Sequence, residues 1–283
     1  MKIGISYINV WGEDYFKKTK AFGFDYQDYG LASTTVEPYT CDERGFREFL
    51  TATKRRADDA GVTIWQVHGP WRVPPHDRTL RDRAERLESM KRSIRAAALL
   101  GAKYWVVHPI MPFGLRDLTY GNGERTREVN LEFMAKLISV ARDEGVTICL
   151  ENMPFLQFSL SSPTAIAEIV HEINSPNFAM CLDTGHANVY RDWLTPADSI
   201  RKHSDIIKAL HVHDNDGRED RHLAPLHGTV DWRDFSLALH EVNFGGVLSL
   251  ECTPRKTLPN DILEDMYSVY YKIAKTVSEL YKS

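Results

Sequence analysis

Long apolar runs are missing from this chain. No stretch of about 18 uncharged apolar residues occurs, which excludes a membrane-spanning helix. Cysteine is scarce: Cys41, Cys149, Cys181 and Cys252 are the only four in 283 residues, widely spaced and without a CxxC. That excludes a disulfide scaffold and predicts reduced thiols in a cytoplasmic protein. Basic charge is not in excess. Thirty-five Lys and Arg against 39 Asp and Glu give a net charge of −4, no footprint for a dedicated nucleic-acid binder. Glycine-rich phosphate loops are absent too, since neither GxGxxG nor GxxxxGK[ST] occurs. The N-terminus, MKIGISYINVWGED, has no long apolar core and meets an acid at position 13, so no signal peptide is expected.

What is present is a regular alternation. Runs rich in β-branched and aromatic residues fall at 2–8, 24–30, 62–68, 103–108, 146–151, 178–183, 207–213 and 247–251. Helical patterns lie between them. The clearest spans 79–100, where Leu80, Ala84, Leu87, Ile94 and Ala98 recur among mixed charges. Gly23, Gly61, Gly101, Gly145 and Gly245 stand where helices should stop. Strand–helix alternation implies parallel strands joined by right-handed crossovers. Eight units in this length predict an α/β fold, a (β/α)8 TIM barrel. No linker-like break divides the chain, so residues 1–283 read as one domain. The mixed run KRRADD at 54–59 reads as a solvated helix face.

In such barrels chemistry sits at the C-terminal ends of the strands. Those ends carry His68, His108, Glu151, Asp183, His213 and Glu251 on six successive strands, while the first two strands end in uncharged or exposed-looking residues. The last four are separated by 32, 30 and 38 residues, about one βα unit each, so the fold brings them to one rim. Several acids gathered there without partners are costly unless a cation compensates them. His186, Asp220 and His222 lie just beyond the strands, and the D-x-H spacing in an extended segment points Asp220 and His222 to one face. Strand alternation puts His211 and His213 on one face and lets either serve; His213, nearer the strand end, is favoured. His76, His171, His203 and His240 are expected to be solvated, and Cys149, Cys181 and Cys252 to pack in the strand layer. Trp11, Trp71, Arg72, Phe113, Arg116, Tyr190 and Arg191 fall in loops at the expected mouth, and 109–123 is long enough for a lid.

The motifs VHGP (67–70), VVHP (106–109), LENMP (150–154), LDTGHAN (182–188), HVHDNDG (211–217), DRHLAP (220–225), GTVDW (228–232) and LSLEC (248–252) resemble the xylose-isomerase-like TIM barrel superfamily, and within it the sugar phosphate isomerase/epimerase family. The resemblance runs over essentially the whole chain in order. It implies one divalent ion held by Glu151, Asp183, His213 and Glu251, the two glutamates also serving as the acid/base pair, and His186 touching substrate. The endonuclease IV type of repair enzyme shares the superfamily, and its nine zinc-ligand types match His68, His108, Glu151, Asp183, His186, His213, Asp220, His222 and Glu251. Two positions depart from the family pattern: Pro225-Leu226-His227-Gly228 stands where Pro-Gly-x-Gly is usual, and Glu219 where some ketose epimerases have arginine.

The resulting expectation is a metal-dependent isomerase or epimerase acting on a ketose or related polyol through an enediolate, with Glu151 and Glu251 exchanging the proton. Substrate contacts are expected from His68, His108, His186 and Trp71, and a second ion from His186, Asp220 and His222. Three oxygen donors and an imidazole suit Mn²⁺, Mg²⁺ or Co²⁺, whereas recruiting further histidines favours Zn²⁺. The expected partner is a small carbohydrate, with no membrane and no nucleic acid; a homo-oligomer is compatible with the sequence. Arg72, Arg116, Arg191, Arg255 and Lys256 are candidates for a phosphate group. The alternatives are an inosose-type dehydratase, a zinc endonuclease for abasic DNA, and a non-catalytic sugar-binding barrel.

Overall fold

The computed structural model describes residues 1–6, 11–71, 77, 79–252, 254 and 257–282. Four of the residues singled out above, Arg72, His76, Arg255 and Lys256, lie outside the described residues, as do the last two residues of the first strand-like run. Among those described, eight parallel strands run β1 (Lys2–Ser6), β2 (Tyr26–Gly30), β3 (Thr63–His68), β4 (Tyr104–Val107), β5 (Thr147–Glu151), β6 (Phe178–Asp183), β7 (Ile207–His211) and β8 (Val247–Leu250). The order β7-β6-β5-β4-β3-β2-β1-β8 closes through the parallel bridge Val212–Leu250. At this seam Val212 N donates to the Ser249 carbonyl at 2.8 Å, and Glu251 N to the Val212 carbonyl at 3.0 Å. This is a (β/α)8 TIM barrel.

The helices are α1 (Tyr15–Ala21), α2 (Glu43–Asp59), α3 (Leu80–Leu99), α4 (Gly123–Asp143), α5 (Pro163–Ile173), the short α6 (Thr184–Asn188), α7 (Pro196–His203), α8 (Trp232–Glu241) and α9 (Asn260–Val277). Helix α3 starts at a reciprocal cap, Thr79 with Asp82. Its buried face is Arg86, Met90, Ser93, Ile94 and Ala97; Leu80, which the periodicity placed on that face, is 81% exposed because it opens the helix before the inward face is established. Four of the five expected stop glycines do adopt positive φ, but after α8 Asn243 (φ 52°) takes the left-handed position in place of Gly245. Along α2, Lys54–Asp58 and Arg55–Asp59 pair on the solvated face.

Register explains how the barrel builds a site. Glu151 pairs with Cys181, Cys181 with Ala209, and Asp183 with His211. Alternation therefore puts Cys149 and Glu151, Cys181 and Asp183, and Ala209 and His211 on one face. The opposite face, with Trp105, Ile148, Leu150, Met180, Leu182 and Leu210, joins the main core beneath the helices. On the inner face the small residues Val106, Cys149, Ala179, Cys181 and Ala209 form a separate buried layer. That layer is a floor of small side chains, and the acids and imidazoles stand on it.

Two expectations are corrected here. The 109–123 segment does not form a free lid. Ile110 and Met111 are buried, Asn130 clamps both Ile110 N and its carbonyl at 2.9 Å, and buried Asp117 accepts from Ser159 N at 2.8 Å. His203 is buried, being the last of a helical stripe on α7 with Pro196, Ser199 and Ile200.

Candidate active site and metal centre

The ligand atoms of Glu151, Asp183, His211 and Glu251 all lie within 4.8 Å of one another. His211 stands where His213 was expected, and on this point the geometry differs from the sequence reading. The β7 ladder ends at His211, opposite Asp183. Beyond it the chain is pinned to Thr184, whose hydroxyl accepts from His213 N at 3.0 Å and donates to the His213 carbonyl at 2.7 Å. The His213 ring accordingly lies over Gly185, with Nε2 at 3.0 Å from Asp183 Oδ1. It joins a second group in which His186, His213, Asp220 and His222 again bring ligand atoms within 4.8 Å. Asp220 and His222 do face the mouth together, but not by strand alternation, since His222 has φ 44°. A third group consists of His68, Glu151 and His211, and His108 Nε2 lies 3.3 Å from Glu151 Oε2.

Local structure aims each group. Asp183 ends β6 and caps α6: Oδ1 accepts from His186 N at 2.7 Å, leaving Oδ2 buried without a hydrogen-bond partner. Asn152, next to Glu151, ties β5 to β6 by accepting from Asp183 N and donating to its carbonyl. Three imidazoles each turn one nitrogen to a backbone carbonyl at 2.8 Å: His68 Nδ1 to Gly69, His186 Nδ1 to Asn152 and His222 Nδ1 to Glu251. A carbonyl only accepts, so Nδ1 carries a proton and Nε2 is the nitrogen turned toward the mouth; in His186 and His222 it meets Asp220, at 3.3 Å in each case. Glu151 Oε2, Asp183 Oδ2, His211 Nδ1 and His213 Nε2 are buried with no hydrogen-bond partner. Unpartnered polar atoms converging from a mixed carboxylate and imidazole set fit a divalent cation, which would satisfy them together once the imidazoles give up their second proton.

The charges are unevenly held. Burial alone would raise the Glu151 carboxyl, but His211 and His108 outweigh it and hold it well below the usual range. Burial raises the Glu251 carboxyl, and nearby Glu151 adds to that against the opposing pull of His211. Burial would lower His186 and His222; their carboxylate neighbours, with Asp183 and Asp220 foremost, instead push them up to about 10 and about 9. Protons on these imidazoles occupy the electrostatic role a cation would take.

A cavity of about 550 Å³ opens onto this cluster. Its polar side includes His68, His108, His186 and Glu251, and its apolar side Trp71, Met153 and Phe155. The Trp71 ring stands edge-on to His108 at 4.5 Å. Arg191, a candidate for phosphate, is instead structural: it bonds the Asp216 carbonyl and Thr229 Oγ1. Arg116 is exposed. Trp11 packs with Tyr15, Phe22 and Tyr267.

Sequence reasoning passed over two organisers. Asp214 is fully buried and accepts from Asn215 N, Gly228 N, Val230 N and Trp232 Nε1, so it shapes the loop that carries Asp220 and His222. Asp28 on β2 accepts from His211 Nε2 at 2.8 Å. Its only signal was an acid inside the otherwise uncharged run YQDYG.

No helix among the described residues is long and apolar enough to cross a membrane. Compared with known proteins, the chain is 30% identical over 190 residues to an uncharacterised protein of Methanocaldococcus jannaschii, covering 65% of this chain and 63%, under two thirds, of that protein. It is 27% identical over 274 residues to a D-psicose 3-epimerase of Enterocloster bolteae, covering 89% and 82% of the two. A crystal structure of a D-tagatose 3-epimerase-like protein superposes with a TM-score of 0.73 at 25% identity, over 97% of this chain and 98% of that one. Residues 16–270 match the model of the xylose isomerase-like TIM barrels, and the chain belongs to that family.

Proposed function

We propose that this protein is a divalent-cation-dependent sugar isomerase or epimerase that moves a proton on a carbon beside a ketose carbonyl. The observation that carries the reading is the placement of two glutamates. Glu151 ends β5 and Glu251 follows β8; across the β7–β8 seam these strands lie three places apart, on facing walls of one cavity. Both reach His211, at 3.1 and 3.2 Å. A single carboxylate suffices to bind a sugar hydroxyl, whereas inversion at carbon needs a base on one face and an acid on the other.

Glu151, Asp183, His211 and Glu251 would hold the cation. When bound, it would polarise the carbonyl and stabilise the negative charge of the enediolate. Glu151 removes the proton next to the carbonyl, and Glu251 returns one from the opposite face. His68 and His186, with His108 beside them, line the cavity where substrate hydroxyls would sit. Trp71 covers the apolar face of the carbon skeleton. His186, Asp220 and His222, joined here by His213, could take a second ion.

The test is proton exchange. Protein loaded with Mn²⁺, Mg²⁺, Co²⁺ or Zn²⁺ is incubated in D₂O with a panel of ketoses and inososes, and deuterium beside the carbonyl is followed by NMR. Exchange that needs the cation and is lost in Glu151→Gln and Glu251→Gln supports the reading, and a product short of a hydroxyl would make it a dehydratase. A second reading rests on a separate observation: three ligand groups share this mouth, as a multi-zinc nuclease requires. Nicking of abasic-site DNA without exchange on any carbonyl compound would establish it.

A further inference from the structure

We propose that Asp28 is a positioning residue that fixes His211 in the one tautomer able to ligate a cation through Nδ1. The inference rests on the reading of Glu151, Asp183, His211 and Glu251 as cation ligands. Asp28 is 2% exposed and lines the cavity wall opposite β7. A carboxylate buried this deeply needs compensation, and among the described residues no lysine or arginine pairs with it. Its Oδ2 instead meets two donors, His211 Nε2 at 2.8 Å and Gln66 Nε2 at 2.9 Å.

Asp28 Oδ2 accepts from Nε2, so His211 carries a proton there, and the neutral ring that a cation requires offers its lone pair at Nδ1. Nδ1 faces Glu151 Oε1 at 3.1 Å and Glu251 Oε2 at 3.2 Å and makes no hydrogen bond. Two carboxylate oxygens converge on this nitrogen, a place that suits a cation, and Asp28 decides that Nδ1, not Nε2, faces them. Gln66 holds the arrangement from β3. The same amide nitrogen that reaches Asp28 also lies 3.3 Å from the Leu210 carbonyl, the peptide group preceding His211. Carboxylates behind ligating imidazoles fix ring orientation and raise ligand basicity, and losing one costs about 10–100-fold in metal affinity.

The experiment uses Zn²⁺ as the probe, with affinity measured by competition against a chromophoric chelator and tautomers read from long-range ¹H–¹⁵N correlations. In the wild-type protein His211 should show Nε2–H both without zinc and with it, and zinc on Nδ1. Asp28→Asn keeps the shape but removes the charge; it should bind Zn²⁺ about 10–100-fold more weakly at unchanged stoichiometry, with His211 no longer held in one tautomer. Glu251→Gln is the control for the ligand reading. Zinc on His211 Nε2 in the wild-type protein overturns the proposal even if Asp28→Asn fails to fold. Folded Asp28→Asn with affinity within about twofold of wild type, alongside a large loss in Glu251→Gln, overturns it while leaving the ligand reading intact. Affinity unchanged in both variants overturns the ligand reading as well.

Discussion

Gly185→Ala sets two effects of opposite sign against each other at the densest point of the site. Gly185 lies inside α6, where alanine alone would favour the helix by about 1 kcal/mol. A Cβ at that position would fall 2.0 Å from His213 Cε1, 2.3 Å from Nδ1 and 2.7 Å from Nε2. The ring cannot step back freely. It is fully buried, stacked on His222 with centroids 4.1 Å apart, and its backbone is bonded on both sides to Thr184. Overpacking of this kind costs about 1–3 kcal/mol, so packing should win and leave a net loss of up to about 2 kcal/mol. For a domain of this size that lowers Tm by up to about 4 °C in calorimetry. The displaced ring would also open the group formed by His186, His213, Asp220 and His222, while Glu151, Asp183, His211 and Glu251 stay in place. Zinc titration should therefore lose only the binding contributed by His186, His213, Asp220 and His222. A variant that melts above wild type, with helix propensity prevailing, would refute the packing argument.

Other outcomes follow from the same geometry. Leu226 holds φ 74° at a half-exposed position; Leu226→Gly relieves about 1–2 kcal/mol of left-handed strain against about 0.5–1 kcal/mol of added chain entropy, so the urea midpoint should rise slightly, and a fall would count against strain there. Asp214→Ala strands four buried or half-buried donors; it should cost about 3 kcal/mol or more and speed hydrogen exchange at Gly228 and Val230, and unchanged exchange would refute its organising role. A divalent cation at a hundred times its dissociation constant should add about 2.7 kcal/mol of stability, reversed by a chelator; a Tm indifferent to every divalent cation tried would sink the cation reading.

What was legible in the sequence was what depends on near neighbours. β-branched and aromatic runs located every strand to within two residues, because a strand buried on both faces must be almost wholly apolar until it ends. The acids at 151 and 183 broke those runs where the strands stop, and so announced the rim. His203 was legible as well: its spacing from Pro196, Ser199 and Ile200 is that of a buried helical face. The choice between His211 and His213 was of another kind. Alternation puts both on one face, and what separates them is the end of the β7 ladder and the grip of Thr184, which comes from the preceding βα unit. Asp28 lies further still from sequence logic, since its partner is 183 residues downstream and reaches it across the barrel interior. An acid within an uncharged strand shows that a compensating group exists somewhere, but closure of the barrel decides which group that is. The candidate ligands are thus readable one βα unit at a time, whereas the hydrogen bond between His211 and Asp28 is a property of the closed barrel.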